Sequence, residues 1–224
     1  MKKLVVALSL LLLYACNDTP GRPDVSGIEV SLQWRRFDRD FFKIDSTRTK
    51  EGLAQLAQQY PGFAPLFVAN ILGLGSMAEQ EQLVVDGTRR FLHLNQHLYD
   101  TVQQVFPSTD QLQQELTTAF RHLRYYFPKY PLPRQVYTVI GPMDALPPMS
   151  NGEPSPNFMG NGFMAIGLQF YLGPGFSIYN DPNYAAAIVP QFRSRRFSKE
   201  YIVADVMKLL LDDLYADSSS RLPL

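Results

Sequence analysis

The sequence predicts an α+β fold, a helix-rich single domain with a helical hairpin packed on a small β-sheet. Three observations predict it. Two consecutive stretches carry apolar residues at helical spacing, Phe91 to Val105 and Leu112 to Phe127, and only a Pro107-Ser108 turn separates them. Two short runs, Val136 to Ile140 and Phe163 to Leu168, are apolar or β-branched and bounded by glycine and proline, as strands are. No internal repeat divides the chain, and the roughly two hundred residues beyond its first segment suffice for one substantial core.

Taken in order, the chain opens with Lys2 and Lys3 before an apolar run from Leu4 to Leu13 broken only by Ser9. That is a charged n-region and an h-region of secretory length, too short to span a bilayer as a mature helix. Leu13-Tyr14-Ala15-Cys16 resembles a bacterial lipobox, with Leu at −3, a small residue at −1 and Cys at +1, although Tyr14 is bulky for −2. The alternative is an ordinary signal peptide followed by a chance cysteine. Cys16 is the only cysteine of the chain and falls on the junction itself. Residues 1–15 therefore read as a lipoprotein signal peptide and Cys16 as the lipidation site. Anchoring then rests on acyl chains such as palmitate, and two or more are needed to hold a protein stably. A single cysteine leaves no intrachain disulfide, so the fold depends on its core. Once Lys2 and Lys3 leave, 19 basic residues face 21 acidic ones. A net charge of −2 argues against nucleic acid as a partner and against a polybasic membrane patch.

Residues 16–26 carry Asn, Asp, Thr, two prolines and Gly with one aliphatic side chain, a flexible tether. The folded domain is expected at 27–224. Ile28 to Trp34 alternates apolar and polar residues as a half-buried strand does. Arg36-Phe37-Asp38-Arg39-Asp40-Phe41-Phe42 mixes aromatics with charges, and its acids read as surface partners of Arg35, Arg36 and Arg39. Leu53, Leu56, Ala57 and Tyr60 mark a helix that Pro61-Gly62 stops. A second apolar patch, Phe63 to Leu72, ends in Gly73-Leu74-Gly75, which lacks the spacing of a dinucleotide fingerprint. One helix is expected from Arg89 to Phe106, with Phe91, Leu94, Leu98, Val102 and Val105 as its stripe. Ser108 and Gln111 fit a capping box for the next, which stops at Pro128.

Pro142 to Asn161, rich in Pro, Gly and Asn, reads as one long loop, and loops of that length are often functional or mobile. Phe163 to Leu168 reads as a strand buried on both faces, with Gly167 marking close backbone approach. Gly152, in the loop, is expected to tolerate a side chain. Asp181-Pro182 opens a short helix. Ser198 caps the last one, with Tyr201, Ile202, Val206, Leu209 and Leu210 inward.

Few constellations carry chemistry. His93 and His97 stand at i and i+4, a spacing that can share a zinc, and His122 lies on the neighbouring helix. A zincin helix also needs Glu directly after the first His, where this chain has Leu94. No nucleophile elbow, Walker loop or reactive-cysteine arrangement is present. The acid pairs Asp38/Asp40 and Asp212/Asp213 read as arginine-paired and solvated. Tyr125, Tyr126, Tyr130 and Tyr137, near Phe127, either line a groove or fill a core. No catalytic residue, metal ligand or cofactor is assigned. Phe37, Tyr125, Tyr126 and Tyr171 are the candidate interaction or groove residues.

Several motifs in fixed order resemble the gliding-motility lipoprotein GldB family of Bacteroidetes. They are the lipobox and short linker, Arg36-Phe37-Asp38 with Phe41-Phe42, Tyr60-Pro61, and Ala119-Phe120 leading to Tyr125-Tyr126-Phe127-Pro128. Ile166-Gly167-Leu168, Tyr171-Leu172-Gly173, Ile188-Val189-Pro190 and Arg195-Arg196-Phe197 complete the set. The resemblance covers nearly the whole mature chain. It implies a non-enzymatic envelope lipoprotein, anchored by acyl chains and facing the periplasm, on the outer membrane rather than the inner. Such a protein supports the gliding machinery and the associated protein-secretion apparatus, with their envelope proteins as partners. The alternatives are a degenerate relative of zincin metallopeptidases, to which the family bears a distant likeness, and a small-ligand-binding lipoprotein with the 142–161 loop as a lid. Family members usually carry an acid where this chain has Gln169, and the helix after Pro182 has neither His nor Glu. They also continue beyond Leu224, so this chain looks truncated or divergent at its C-terminus. The apolar stripe of the last helix is accordingly expected to lack cover and to drive self-association.

Overall fold

The computed structural model describes residues 22–219. The signal segment, Cys16 and most of the expected tether lie outside them. Near the start of the described chain Val25 is already buried, and the Ile28 amide donates to its carbonyl. The end of the stretch read as a tether is thus held on the body.

Four strands form one mixed sheet: β1 (Gln33–Arg35), β2 (Gln135–Val139), β3 (Asn157–Gly160) and β4 (Phe163–Gly167), in the spatial order β1-β2-β4-β3. β1, β2 and β4 run parallel, with Trp34 opposite Val136 and Val136 opposite Met164. β3 is antiparallel to β4. The sequence-predicted first strand shrinks to three residues, because β1 is an edge strand and 28–32 make no ladder. The expected loop also contains β3. Asn161-Gly162, with Gly162 at φ 78°, closes a two-residue hairpin between β3 and β4, a signal legible in the sequence. β4 is buried throughout, as its glycine-bounded apolar run predicts.

Successive strand residues face opposite sides, and that alternation splits the core in two. Val136, Met164 and Ile166 point to one face, under α5 (Gln96–Val105), α6 (Asp110–Tyr126) and α9 (Ile202–Ser219). Tyr137, Val139, Phe163 and Ala165 point to the other. There they meet α1 (Phe37–Phe42), α2 (Thr49–Gln59), α3 (Phe63–Leu66) with its π-helical turn Phe67–Ile71, and α4 (Met77–Leu94). Two short helices, α7 (Pro182–Ala187) and α8 (Gln191–Ser194), follow the sheet. The Asp181 carboxylate caps α7 by accepting the amides of Asn183 and Tyr184.

The single helix expected from Arg89 to Phe106 is two. The chain breaks at Asn95, whose side chain donates to the Phe91 carbonyl, and crosses from one face of the sheet to the other. Leu92 therefore serves the second core and Leu98 and Val102 the first, while Leu94, expected inward, is exposed. The capping box does not form either. Ser108 accepts the Asp110 amide, but Gln111 turns forward to Glu115. At the last helix, a 3₁₀ turn Lys199–Tyr201 precedes α9, Ser198 makes no side-chain cap to the backbone, and Tyr201 is half-exposed. Ile202, Val206, Leu209 and Leu210 are all buried within this chain, the first, second and last of them in the same core as α6. The expectation of an uncovered stripe is overturned.

Candidate functional site

Two groups of charged side chains gather at the end of the sheet where β1, β2 and β4 finish. The first is built on Asp38, in the first turn of α1 directly after β1. Its carboxylate is fully buried, not on the surface as the sequence suggests. Arg36 grips both oxygens, Nε to Oδ1 at 2.9 Å and Nη2 to Oδ2 at 2.7 Å. Gln103 Nε2 donates to Oδ2 at 3.0 Å and Thr138 Oγ1 to Oδ1 at 2.5 Å. The same arginine reaches the Phe106 carbonyl at the end of α5, and Arg39 reaches Pro107. Every acceptor of Asp38 is thus occupied by protein donors, which makes it a clamp between β1, β2 and α5 rather than an open site.

Asp40 points elsewhere, so the two acids do not form a catalytic pair. Its carboxylate accepts Tyr60 Oη at 2.6 Å, Gln59 Nε2 at 3.0 Å and Lys43 Nζ at 3.1 Å. Burial alone would raise its pKa; the bonds from Tyr60, Lys43 and Gln59 outweigh that and hold it below the usual carboxylate value.

The second group lines a groove of about 270 Å³. One wall is the loop ahead of β3, from Leu146 to Pro156. Opposite it lies Val189 to Phe197, and α9 contributes Asp205 and Lys208. The loop is not a free lid. Asp212 accepts the Ser150 amide at 2.8 Å, the Tyr184 hydroxyl donates to the Met143 carbonyl at 2.9 Å, and Met149 is buried. Across the groove Lys208 Nζ meets Glu153 Oε2 at 2.6 Å, and Arg193 stands 3.7 Å from the same oxygen. Arg196 lies 3.5 Å from Asp205. Lys208 beside Glu153 holds that carboxyl below its usual range, whereas burial pushes Asp205 up despite Arg196 and Tyr171.

Beneath Asp205 the Tyr171 hydroxyl donates to its Oδ2 at 3.3 Å and accepts from Asn157 Nδ2 at 2.8 Å. Burial holds the phenol well above its usual pKa, so it stays a neutral donor. The Asn157 Oδ1 atom is buried and has no protein partner. Apolar walls, three cations and two carboxylates suit an amphipathic ligand or peptide segment. A larger cavity of about 590 Å³ lies between α2, α3 and the start of α4, but its walls are almost wholly aliphatic and offer little to orient a ligand.

The sequence-predicted residues fare unequally. Phe37 lines no groove; it is fully buried at the centre of an aromatic core, with Tyr60, Phe63 and Phe67 rings 4.9 to 5.0 Å away. Tyr171 is fully buried and acts only from beneath Asp205. Tyr125 and Tyr126 are exposed and meet edge to face at 5.1 Å. They do not cluster with Tyr130 and Tyr137, which are buried in opposite cores. His93 and His97 fall on different helices, either side of the Asn95 break, and both are exposed. Among the described residues no three His, Cys, Asp or Glu side chains converge. Asp212 and Asp213, read as solvated, each tie down a distant segment: Asp212 the loop at Ser150, Asp213 the Tyr130 hydroxyl at 2.7 Å. Gln169 is buried, and its backbone carbonyl accepts the Tyr179 hydroxyl at 2.5 Å. Sequence reasoning missed the groove cations, because Arg193 and Lys208 find Glu153 only across the fold. No described helix is long and apolar enough to cross a membrane.

A family model described as gliding motility protein GldB matches residues 18–224. No curated protein and no solved structure matches the chain.

Proposed function

The chain belongs to the gliding motility protein GldB family, and from that premise we propose that it is a membrane-anchored envelope lipoprotein supporting gliding and the associated protein-secretion machinery. In this reading Cys16 carries the acyl anchor, and the folded domain faces the periplasm from the outer membrane. The observation that carries it is the family match from residue 18 onward, following directly on the Leu13-Tyr14-Ala15-Cys16 junction. The domain acts by binding, not by catalysis. What supports this is the chemistry of the groove's own side chains. Glu153 is tied by Lys208, Asp205 by Arg196 and Tyr171, and among the described residues no histidine or cysteine lines the groove. The groove also favours a second reading, a lipoprotein that takes a small amphipathic ligand there.

Replacing Cys16 by Ser tests the anchor: the variant leaves the membrane fraction and gliding fails. Gliding that persists in cells carrying only a soluble Cys16→Ser protein overturns the anchored role. Photo-crosslinkers at Phe192 and Lys208, on the groove, capture envelope proteins of the motility or secretion apparatus in native membranes. Crosslinks equal to those from a site on α4 would remove the groove from the interaction.

A further inference from the structure

We infer that the end of the sheet at which β1, β2 and β4 begin rests on the bilayer that holds the anchor, with Tyr125 and Tyr126 seated in its interfacial layer. The inference rests on acylation at Cys16.

The direction of each element leads there. The Gln33 amide donates to the Arg134 carbonyl at 2.8 Å and the Arg134 amide to the Gly162 carbonyl at 3.0 Å, so three parallel strands start side by side. α6 starts at the opposite end, where Arg36 and Arg39 hold the carbonyls of Phe106 and Pro107. Its 17 residues run about 25 Å, against about 17 Å for a five-residue strand. The helix therefore overshoots the sheet and carries Tyr125 and Tyr126 beyond it. α9 runs the same way, from Asp205 beside Tyr171 to Asp213 beside Tyr130, and brings Tyr215 to this end.

The side chains there suit a bilayer interface. Tyr125 is 51% exposed, Tyr126 59% and Tyr215 62%. A tyrosine offers an apolar ring with a polar tip, the combination that collects at the headgroup level. Lys129 and Arg134, both exposed, have stems long enough to reach phosphates. Of the other exposed large apolar residues, Leu83 and Leu94 stand on α4, Phe192 at the groove rim and Tyr201 ahead of α9, its ring covered by Arg196.

Chain length selects the occupant. Five residues lie between Cys16 and Arg22, six Cα–Cα steps with a reach of about 20 Å at most. From Arg22 four residues lead to a turn at 26–27, where the Ile28 amide bonds the Val25 carbonyl, and residues 28–32 then lead into β1. An acyl-bearing Cys16 is thereby kept on a short tether to the segment that enters β1 at this end. The bilayer it enters is the surface this end meets, and the groove opens at the opposite end, toward periplasmic partners.

The test uses the full acylated chain in phosphatidylcholine–phosphatidylethanolamine vesicles with brominated acyl chains. Trp34→Phe removes the native indole without losing a hydrogen bond, since its Nε1 has no partner. In that background Tyr126→Trp is expected to lose more than half its emission to the brominated lipid, and Phe192→Trp to lose almost none. Hydrogen exchange on the unsubstituted chain gives the same answer without a variant: amides of 125–130 exchange several-fold more slowly in vesicles than in detergent. Equal quenching at both positions, or unchanged exchange at 125–130, in protein that floats with the vesicles overturns the inference while leaving the anchor intact. Protein that fails to float overturns the anchor reading, and this inference with it.

Discussion

The Thr138 hydroxyl, in the middle of β2, donates to the buried Asp38 carboxylate across 2.5 Å, although one hundred residues separate them in the chain. With Arg36 and Gln103 it completes the set of donors that lets a charge lie inside the protein. Asp38→Ala takes the countercharge from the largely buried Arg36 guanidinium and is expected to cost about 3–5 kcal/mol. Thr138→Val removes one donor and costs about 1–3 kcal/mol. Urea denaturation measures both. A loss below 1 kcal/mol for Asp38→Ala would show that Arg36 finds another partner.

Gly167 ends β4 where the chain passes closest to its neighbour. A β-carbon added there would lie 2.5 Å from the Pro156 carbonyl oxygen, which also accepts the Gly167 amide. Gly167→Val therefore forces the backbone apart, at about 1–3 kcal/mol or more. Gly152, expected to tolerate a side chain, has φ 80° and is strained by any. The sound control is Gly175, where a β-carbon meets nothing within 4 Å and φ is ordinary. Gly175→Ala should leave the melting temperature within a degree or two, and an equal shift for both variants would refute the close approach.

Because α9 is covered by this chain, the soluble domain should be a monomer with a cooperative melt, as light scattering and calorimetry would report. Leu210, fully buried on the inner face of α9, is expected to cost about 2–5 kcal/mol when cut to Ala. Concentration-dependent scattering by the unaltered domain would mean that another apolar face drives association.

Asp205 makes stability depend on pH in a stated direction. Burial raises its native pKa above the unfolded value of about 4, so between the two the folded state binds more protons. Stability therefore falls as pH rises through that window, and the penalty is complete above the native pKa. Asp205→Asn has no such charge to bury. Its melting temperature relative to the unaltered protein should climb between acidic and neutral pH. Parallel profiles for the two proteins would place the titration elsewhere.

Much of the secondary structure was legible because its signals are local. Leu112, Leu116, Phe120 and Leu123 repeat at helical spacing and are all buried on α6. Asp181-Pro182 caps α7 as its residue types require. Asn161-Gly162 was equally legible as a hairpin, and treating it as loop hid β3. The Asn95 break was harder to see, because Phe91, Leu98 and Val102 keep one period while the chain changes faces.

The sequence by itself determined the α+β class, most helices, the strand at 163–167 and the lipobox-like junction at Cys16, each encoded within a few neighbouring residues. Only the tertiary structure decided the order β1-β2-β4-β3, the division of helices between two faces and the burial of Phe37 and Asp38. It also brought Glu153 to Lys208, forming the groove. Periodicity says that a face is buried but not against what. Pairs such as Asp38 with Thr138, or Tyr130 with Asp213, leave no local trace, because the partner that makes burying each group favourable arrives from a distant part of the chain.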